Sequence, residues 1–452
     1  MVSIAAALER IKGNPLFVLG VGAVERVCGA LGYKWRDRQL DPTTLVGSFV
    51  QQVAMGNISC AETCRATHLS TTPQAYCQAR ARLPLAVYQG LLTEVVEAVM
   101  PATVDQEHLW HGHRTFHMDG SSISMPDTPE LIKAFGMPCG QKPGCGFPTA
   151  HILVLFSAST GLLLDARMSP LRTGDVSHTA EAHAHLLPGD IVIGDDTFGG
   201  YAHLASLSKA GLHGLFPTHH KRIVDFTKRR PHTAEGNDAV NGLPRSRWIK
   251  SLGWNDQLVE YPKPKIKPRY MIKQEYDELP ESIIVREIRR TVNRGGLGKV
   301  TLTMATTLLD PIAYRAADLL ELRQQRWDVE TNLGYLKTTM NMDVLRCMTE
   351  DGVRKELAVF CLVYNLVRCV MLEAARRQEV PVKRISFADA LYWLRYARPG
   401  DSLPPLKVNP DRPGRHEPRC VKRRKKQYDL MNKPRDEMKK SLENKRKKRS
   451  RR

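Results

Sequence analysis

Apolar residues recur at helical spacing through the first hundred positions, as in Leu45, Phe49, Val50 and Val53, the stripe of an amphipathic helix. Thr72-Pro73-Gln74 reads as an N-cap followed by proline at the first helical position, and predicts a helix over 73–83. Pro84 opens another that ends near Met100, ahead of Pro101. Short helices around Cys60–Ala66 and Pro73–Leu83, joined by His68–Thr72, fit a helix-turn-helix whose second member offers Gln74, Gln78, Arg80 and Arg82 to DNA. A plain helical hairpin that packs these residues fits as well.

Between about 112 and 218 the period changes. Arg114–Asp119, His151–Ser157, Leu162–Met168, Asp190–Gly194 and Leu212–Pro217 are short β-type runs bounded by Gly, Pro, Ser and Asp. Helical stretches fall at Val176–Leu187 and Tyr201–Ala210, so a mixed α/β sheet is expected. Residues 219–310 are rich in Lys, Arg and Pro, with β-like runs at Gln257–Tyr261, Ser282–Thr291 and Lys299–Thr306; they read as a β-rich insertion. Helix returns from Pro311 to about Met340 and again, strongly apolar, over Val353–Arg376. Six prolines from Pro399 to Pro418 mark a linker. The resulting division is 1–105, an all-α N-terminal DNA-binding domain; 106–218 and 311–395, two parts of one α/β core; 219–310, the insertion; and 396–452, linker and basic tail.

Charge adds a partner. The 452 residues carry 67 Lys and Arg against 47 Asp and Glu, a net +20 with pI near 9.6, a balance suited to nucleic acid. Sixteen of those cations lie in Cys420–Arg452, expected to be a disordered tail, yet the body stays mildly basic. The ten cysteines include no C-x-x-C pair, which argues against disulfide scaffolds and zinc ribbons. No signal-peptide pattern opens the chain, so a cytoplasmic, nucleoid-associated protein that engages no membrane is expected.

Three acidic residues are candidates for chemistry. Asp119, in His117-Met118-Asp119-Gly120-Ser121, and Asp195, in Val192-Ile193-Gly194-Asp195-Asp196, each end a predicted strand, where α/β sheets bind ligands. Glu330 lies in Arg326-Trp327-Asp328-Val329-Glu330. At 3.6 residues per turn, Arg323, Arg326, Glu330 and Lys337 share one helix face, a carboxylate flanked by cations. An ordinary i, i+4 ion pair explains Arg326 with Glu330, and a turn cap explains Asp119; the functional reading gains only if the fold joins all three. Converging carboxylates repel, and an oxygen-only set suits Mg²⁺ or Mn²⁺, two ions of which can activate a water or a 3′-hydroxyl. His108, His111, His113 and His117 invite a zinc reading, but no second cluster supplies cysteines at ligand spacing.

These residues resemble a known family. Arg323, Arg326, Glu330 and Lys337 sit in a stretch similar to the Tyr-x2-Arg-x3-Glu-x6-Lys signature of bacterial insertion-sequence transposases of the insertion-sequence-four type. Asp119-Gly120-Ser121 running into Met125–Pro129, Lys142-Pro143-Gly144 with Gly146-Phe147-Pro148, Asp195 with Phe198, and Lys337–Arg346 resemble the same family. The resemblance implies a ribonuclease H-like core with a β-rich insertion before the last catalytic helix. It makes Asp119, Asp195 and Glu330 a catalytic, metal-binding triad for two Mg²⁺ (or Mn²⁺), with Asp196 as the alternative second ligand. Arg326 and Lys337 would grip DNA phosphates, with Arg323 replacing the signature tyrosine. Tyr261, in Val259-Glu260-Tyr261-Pro262-Lys263, replaces the tryptophan that stacks on a flipped base in relatives forming hairpin ends, an interaction of ~1–3 kcal/mol per base. The implied activity is cleavage of element ends and joining to target DNA. The partners are double-stranded DNA (terminal inverted repeats and target) and a second copy, as a homodimer on DNA. A DNA-binding protein that kept the fold and lost the chemistry is the alternative; a nuclease without end specificity is another.

Overall fold

The computed structural model describes residues 22–36, 39–100, 109–138, 142, 144–233, 242–294, 298–397, 401–410 and 433–449. The described N-terminal residues carry α1 (Ala23–Ala30), α2 (Pro42–Ala54), α3 (Cys60–Ala66), α4 (Pro73–Arg82) and α5 (Leu85–Val99). Their starts follow the capping chemistry. Asp41, Ser59 and Thr72 each accept a hydrogen bond from a first-turn amide, and proline follows the first and third at N1.

Next come β1 (Thr115–Ser124), α6 (Pro129–Phe135), β2 (Thr149–Ser157), β3 (Leu163–Pro170), α7 (Thr179–His183), β4 (Ile191–Ile193), α8 (Tyr201–Lys209) and β5 (His213–Pro217). The insertion supplies β6 (Arg247–Gly253), β7 (Asp256–Pro262), α9 (Lys273–Asp277), β8 (Ser282–Arg294) and β9 (Gly298–Thr306). Then follow α10 (Ala316–Gln324), α11 (Trp327–Gly334), α12 (Glu350–Gln378), α13 (Phe387–Tyr396) and α14 (Arg435–Arg449).

The nine strands of the described residues form one sheet in the order β3-β2-β1-β4-β5-β9-β8-β7-β6. β1–β3 are an antiparallel meander, β4 and β5 run parallel to β1, and the insertion adds its strands antiparallel beyond β5. The strands of residues 247–306 thus extend the core sheet. Phe116, Met118, Leu153 and Leu155 face one side of the sheet, with Phe198, Leu204 and Leu207 of the α8 region. Ile152, Val154 and Phe156 face the other, beneath α12.

The N-terminal helices share that second core. Val24, Phe49, Val87, Tyr88 and Leu91 belong to the same buried cluster as Val359, Phe360 and Val363 of α12. α12 is long and apolar enough to cross a membrane, yet 94% of its most apolar stretch is buried here. Its polar residues are matched: Asn365 bonds both the amide and carbonyl of Leu163 (2.8 Å each), and Glu356 accepts from Asn57 and the amides of Arg346 and Cys347.

Three expectations need correction. The helix expected from Pro311 to Met340 is broken at Gln325–Arg326, where Arg326 and Asp328 bond three residues back, and it ends in a π-turn over Tyr335–Thr339. The helix expected over Val176–Leu187 shrinks to a 3₁₀ turn and α7. The basic tail contains α14, built from strong helix formers with Asp436 and Glu437 in its first turn. At its start Arg435 pairs with Asp127, donates to the Gly146 carbonyl (3.0 Å) and lies over the Phe147 ring at 4.1 Å.

Candidate active site

The parallel pairing of β1 with β4 brings two of the acids together. The ladder ends at His117↔Ile193; Asp119 and Asp195 each lie two residues beyond it, in register and on the same face. Asp119 does not end its strand as expected, because β1 continues to Ser124 along β2; it is β4 that stops. α11 crosses β1 and supplies the third acid. Asp119, Asp195 and Glu330 line one cavity of about 640 Å³, with Gly120, Arg326, Lys337, Thr338 and Asp343. Asp196 lies outside that lining and faces His220.

Cations thread the carboxylates. The Arg326 guanidinium donates to Asp119 Oδ2 (3.3 Å) and to Glu330 Oε1 (2.9 Å). The i, i+4 pair and the convergent site are therefore one arrangement. Lys337 Nζ donates to Ser121 Oγ (3.2 Å) and stands 3.8 Å from Asp343. Burial pushes the Asp119 carboxyl up to about 6, against the opposing pull of Arg326 and the Gly120 amide. Burial also raises Asp195, whose Oδ1 accepts from the Thr197 amide at 3.0 Å. Beneath them His117 is fully buried, and neither ring nitrogen finds a hydrogen-bond partner among the described residues. Burial, reinforced by Arg326 and Arg323, lowers it to about 4, so at neutral pH it adds no charge to the site.

Two contributors were not picked out in the sequence. Asp175, paired with His151, packs directly on Gly120: a Cβ there would come within 2.3 Å of Asp175 Oδ1. A glycine inside a strand pattern marks such close backbone approach, but its partner is distant in the chain. Asp343 reaches the cavity because residues 343–345 pair with the end of β1 through Ser124.

Three expected DNA contacts are displaced. Arg80 is buried; it donates to Gln52 Oε1 (2.7 Å) and lies over the Phe49 ring at 4.0 Å, so it is a packing residue. Arg82, at the end of α4, is exposed. Tyr261 is also buried, with its hydroxyl donating to Glu287 Oε1 (2.9 Å) and Arg222 over its ring; no base reaches it in this conformation. The exposed aromatic of the insertion is Trp254, at the β6–β7 turn. Arg323 is buried near His117 and does not line the cavity, because the break after α10 turns it from the face of Arg326. Of the histidines, His108 lies outside the described residues, His111 pairs with Asp318, and His113 bonds the Gly189 carbonyl and the Tyr314 hydroxyl.

Two acids at neighbouring interior strands and a third on a crossing helix, with a basic fork between them, invite comparison with known proteins. The family described as Transposase DDE domain matches residues 110–366. This chain belongs to that family. It is 24% identical over 375 residues to the transposase InsG for insertion sequence element IS4 of Escherichia coli (strain K12), with 79% of this chain and 78% of that protein covered. The likeness to insertion-sequence-four transposases read from the motifs therefore holds. Among solved structures, a piggyBac transposase synaptic complex with hairpin DNA aligns with a TM-score of 0.44 and 10% identity, over 84% of this chain and 79% of that one.

The donor set of this DDE transposase suits a hard divalent cation. All three acids offer oxygen only, and the space between Asp119 and Glu330 already holds a positive group, the Arg326 fork.

Proposed function

We propose that the protein is a DNA transposase of the insertion-sequence-four type, with a ribonuclease H-like core, that cuts the ends of its element and joins them to target DNA. The observation that carries this reading is the convergence of Asp119, Asp195 and Glu330 on one cavity beside Arg326 and Lys337. Asp119, Asp195 and Glu330 would hold two Mg²⁺ (or Mn²⁺), which would supply activation of the attacking oxygen and stabilisation of the leaving one.

The chain's own residues position the DNA. Arg326 turns from the carboxylates to a phosphate oxygen, for which its fork is suited, and Lys337 contributes a second cation at the scissile bond. Burial raises the Asp119 carboxyl, and a cation beside it would favour its ionised, ligating form. The nick frees a 3′-hydroxyl that attacks the opposite strand, closing the element end as a hairpin, and after reopening attacks target DNA. Terminal inverted repeats are read by the N-terminal helices, with Arg82 as a contact. Two ends are cut together by a homodimer on DNA.

The test is cleavage and strand transfer on end-containing DNA with Mg²⁺, comparing the wild type with Asp119→Ala and Glu330→Ala. The reading expects nicked and joined products that both substitutions abolish while DNA binding persists. Binding without wild-type cleavage would instead identify a DNA-binding protein that has lost catalysis; cutting without end preference or joining would identify a nuclease.

A further inference from the structure

A second set of ligating side chains stands on the far side of Asp195, and no transposition step uses it. Asp196 follows the end of β4, and His219 and His220 follow the end of β5. These strands are parallel neighbours in the register Ile193↔Leu215, so both chains leave the sheet at the same edge. There one ligand atom from each of Asp196, His219 and His220 lies within 4.8 Å of the other two. Asp196 Oδ2 is 3.8 Å from His220 Nδ1, and the two imidazole centroids are 4.2 Å apart.

The frame beneath this cluster is tight. The turn Asp196–Gly199 packs on the end of β5 so closely that a Cβ on Gly199 would lie 2.8 Å from the Pro217 carbonyl oxygen. The Asp195 carboxylate fixes the turn's start through the Thr197 amide. His219 Nδ1 accepts from the Lys221 amide at 3.2 Å, long for this bond, so the ring loses little by turning to another partner. Ligand atoms about 2.0–2.2 Å from one ion stand about 3.3 Å apart, so the side chains need close only slightly.

We infer that Asp196, His219 and His220 form a binding site for a zinc-class divalent transition metal, separate from the carboxylate cavity. Two imidazoles and one carboxylate select such an ion over Mg²⁺, which prefers oxygen ligands. With three protein ligands the fourth position stays open to water. A metal there ties the start of the insertion to the turn that carries Asp195. It stiffens the connection between the two without entering the cavity.

The experiment is a Co²⁺ titration of the full-length protein in excess Mg²⁺, followed by visible d–d absorption and Zn²⁺ displacement, with His219→Ala/His220→Ala and Asp196→Asn alongside. The inference expects one equivalent of Co²⁺ without thiolate charge-transfer bands, displaced by Zn²⁺. It expects affinity to fall at least about tenfold in both variants, as for loss of a metal-site partner. Zn²⁺ should also slow tryptic cleavage after Lys221 in the wild type alone. The histidines are exposed, so unchanged melting of the metal-free double variant is expected and controls for folding; Asp196→Asn provides the reading if the double variant is unstable. Unchanged Co²⁺ stoichiometry and spectrum in both variants, or no Co²⁺ bound by the wild type, overturns it.

Discussion

Asp119 shows how one side chain ties stability to chemistry. In the unfolded chain its carboxyl titrates near 3.8, and in the folded, metal-free protein at about 6. The folded state therefore holds an extra proton between those values. Its contribution is fully present below pH 3.8, is lost as pH rises towards 6, and is level above. The shift corresponds to at most about 3 kcal/mol. Urea unfolding of the metal-free protein from pH 4 to 7 should show this decline, and Asp119→Asn should flatten it; an unchanged slope would contradict burial as the cause. Gly120 acts on the same site by its lack of a side chain. Gly120→Ala should push the Asp175–His151 pair aside and lower strand cleavage by tenfold or more, about 1.4 kcal/mol of barrier, with DNA binding kept. Gel-based cleavage and binding assays separate the two effects.

At the scale of elements, α4 carries one buried and one exposed arginine. Removing Arg80 takes from buried Gln52 Oε1 one of its two donors, the other being the Tyr76 hydroxyl (3.1 Å), and strips a cation from the Phe49 ring. Arg80→Ala should cost about 2–4 kcal/mol in chemical denaturation. Arg82→Ala, on the exposed end, should stay within about 0.5 kcal/mol while weakening DNA affinity. Caps and periods made these helices legible: Thr72 and Pro73 mark the start of α4 in the chain and in the fold alike. Which arginine faces inward was not legible, since Arg80 is buried by Phe49 and Gln52 of another helix. Tyr261 repeats the lesson. Strand alternation puts it on a definite face, but only Glu287 and Arg222, brought in by other segments, make that face an interior one. The break at Gln325–Arg326 left no mark in the apolar pattern, and it is what sends Arg323 inward.

At the scale of the whole molecule, one core runs from the N-terminal part to the sheet. Val87, Tyr88, Leu91 and Val95 of α5 share a cluster with α12 and the sheet, so the described N-terminal helices are not a detachable unit. Deleting residues 1–100 should uncover that apolar surface and leave a remainder without a cooperative thermal transition, read by calorimetry; a sharp two-state melt would contradict the shared core. Charge acts at this scale too. With a net +20, log Kd for DNA should rise linearly with log salt, by about 0.9 per phosphate neutralised, and truncation after residue 432 should reduce that slope.

Local chemistry in the chain determined the character of most helices and strands, a charge balance suited to a polyanion, and which three acids are candidates. These features depend on neighbours a few residues apart, through periodicity, caps and motif spacing. Tertiary structure decided the rest. It set Asp195 rather than Asp196 in the cavity, through the common register of β1 and β4. It turned Arg80, Arg323 and Tyr261 inward, joined the insertion to the core sheet, and placed two histidines against Asp196. Burial and long-range pairing are properties of segments meeting in space, and no run of residues carries them alone.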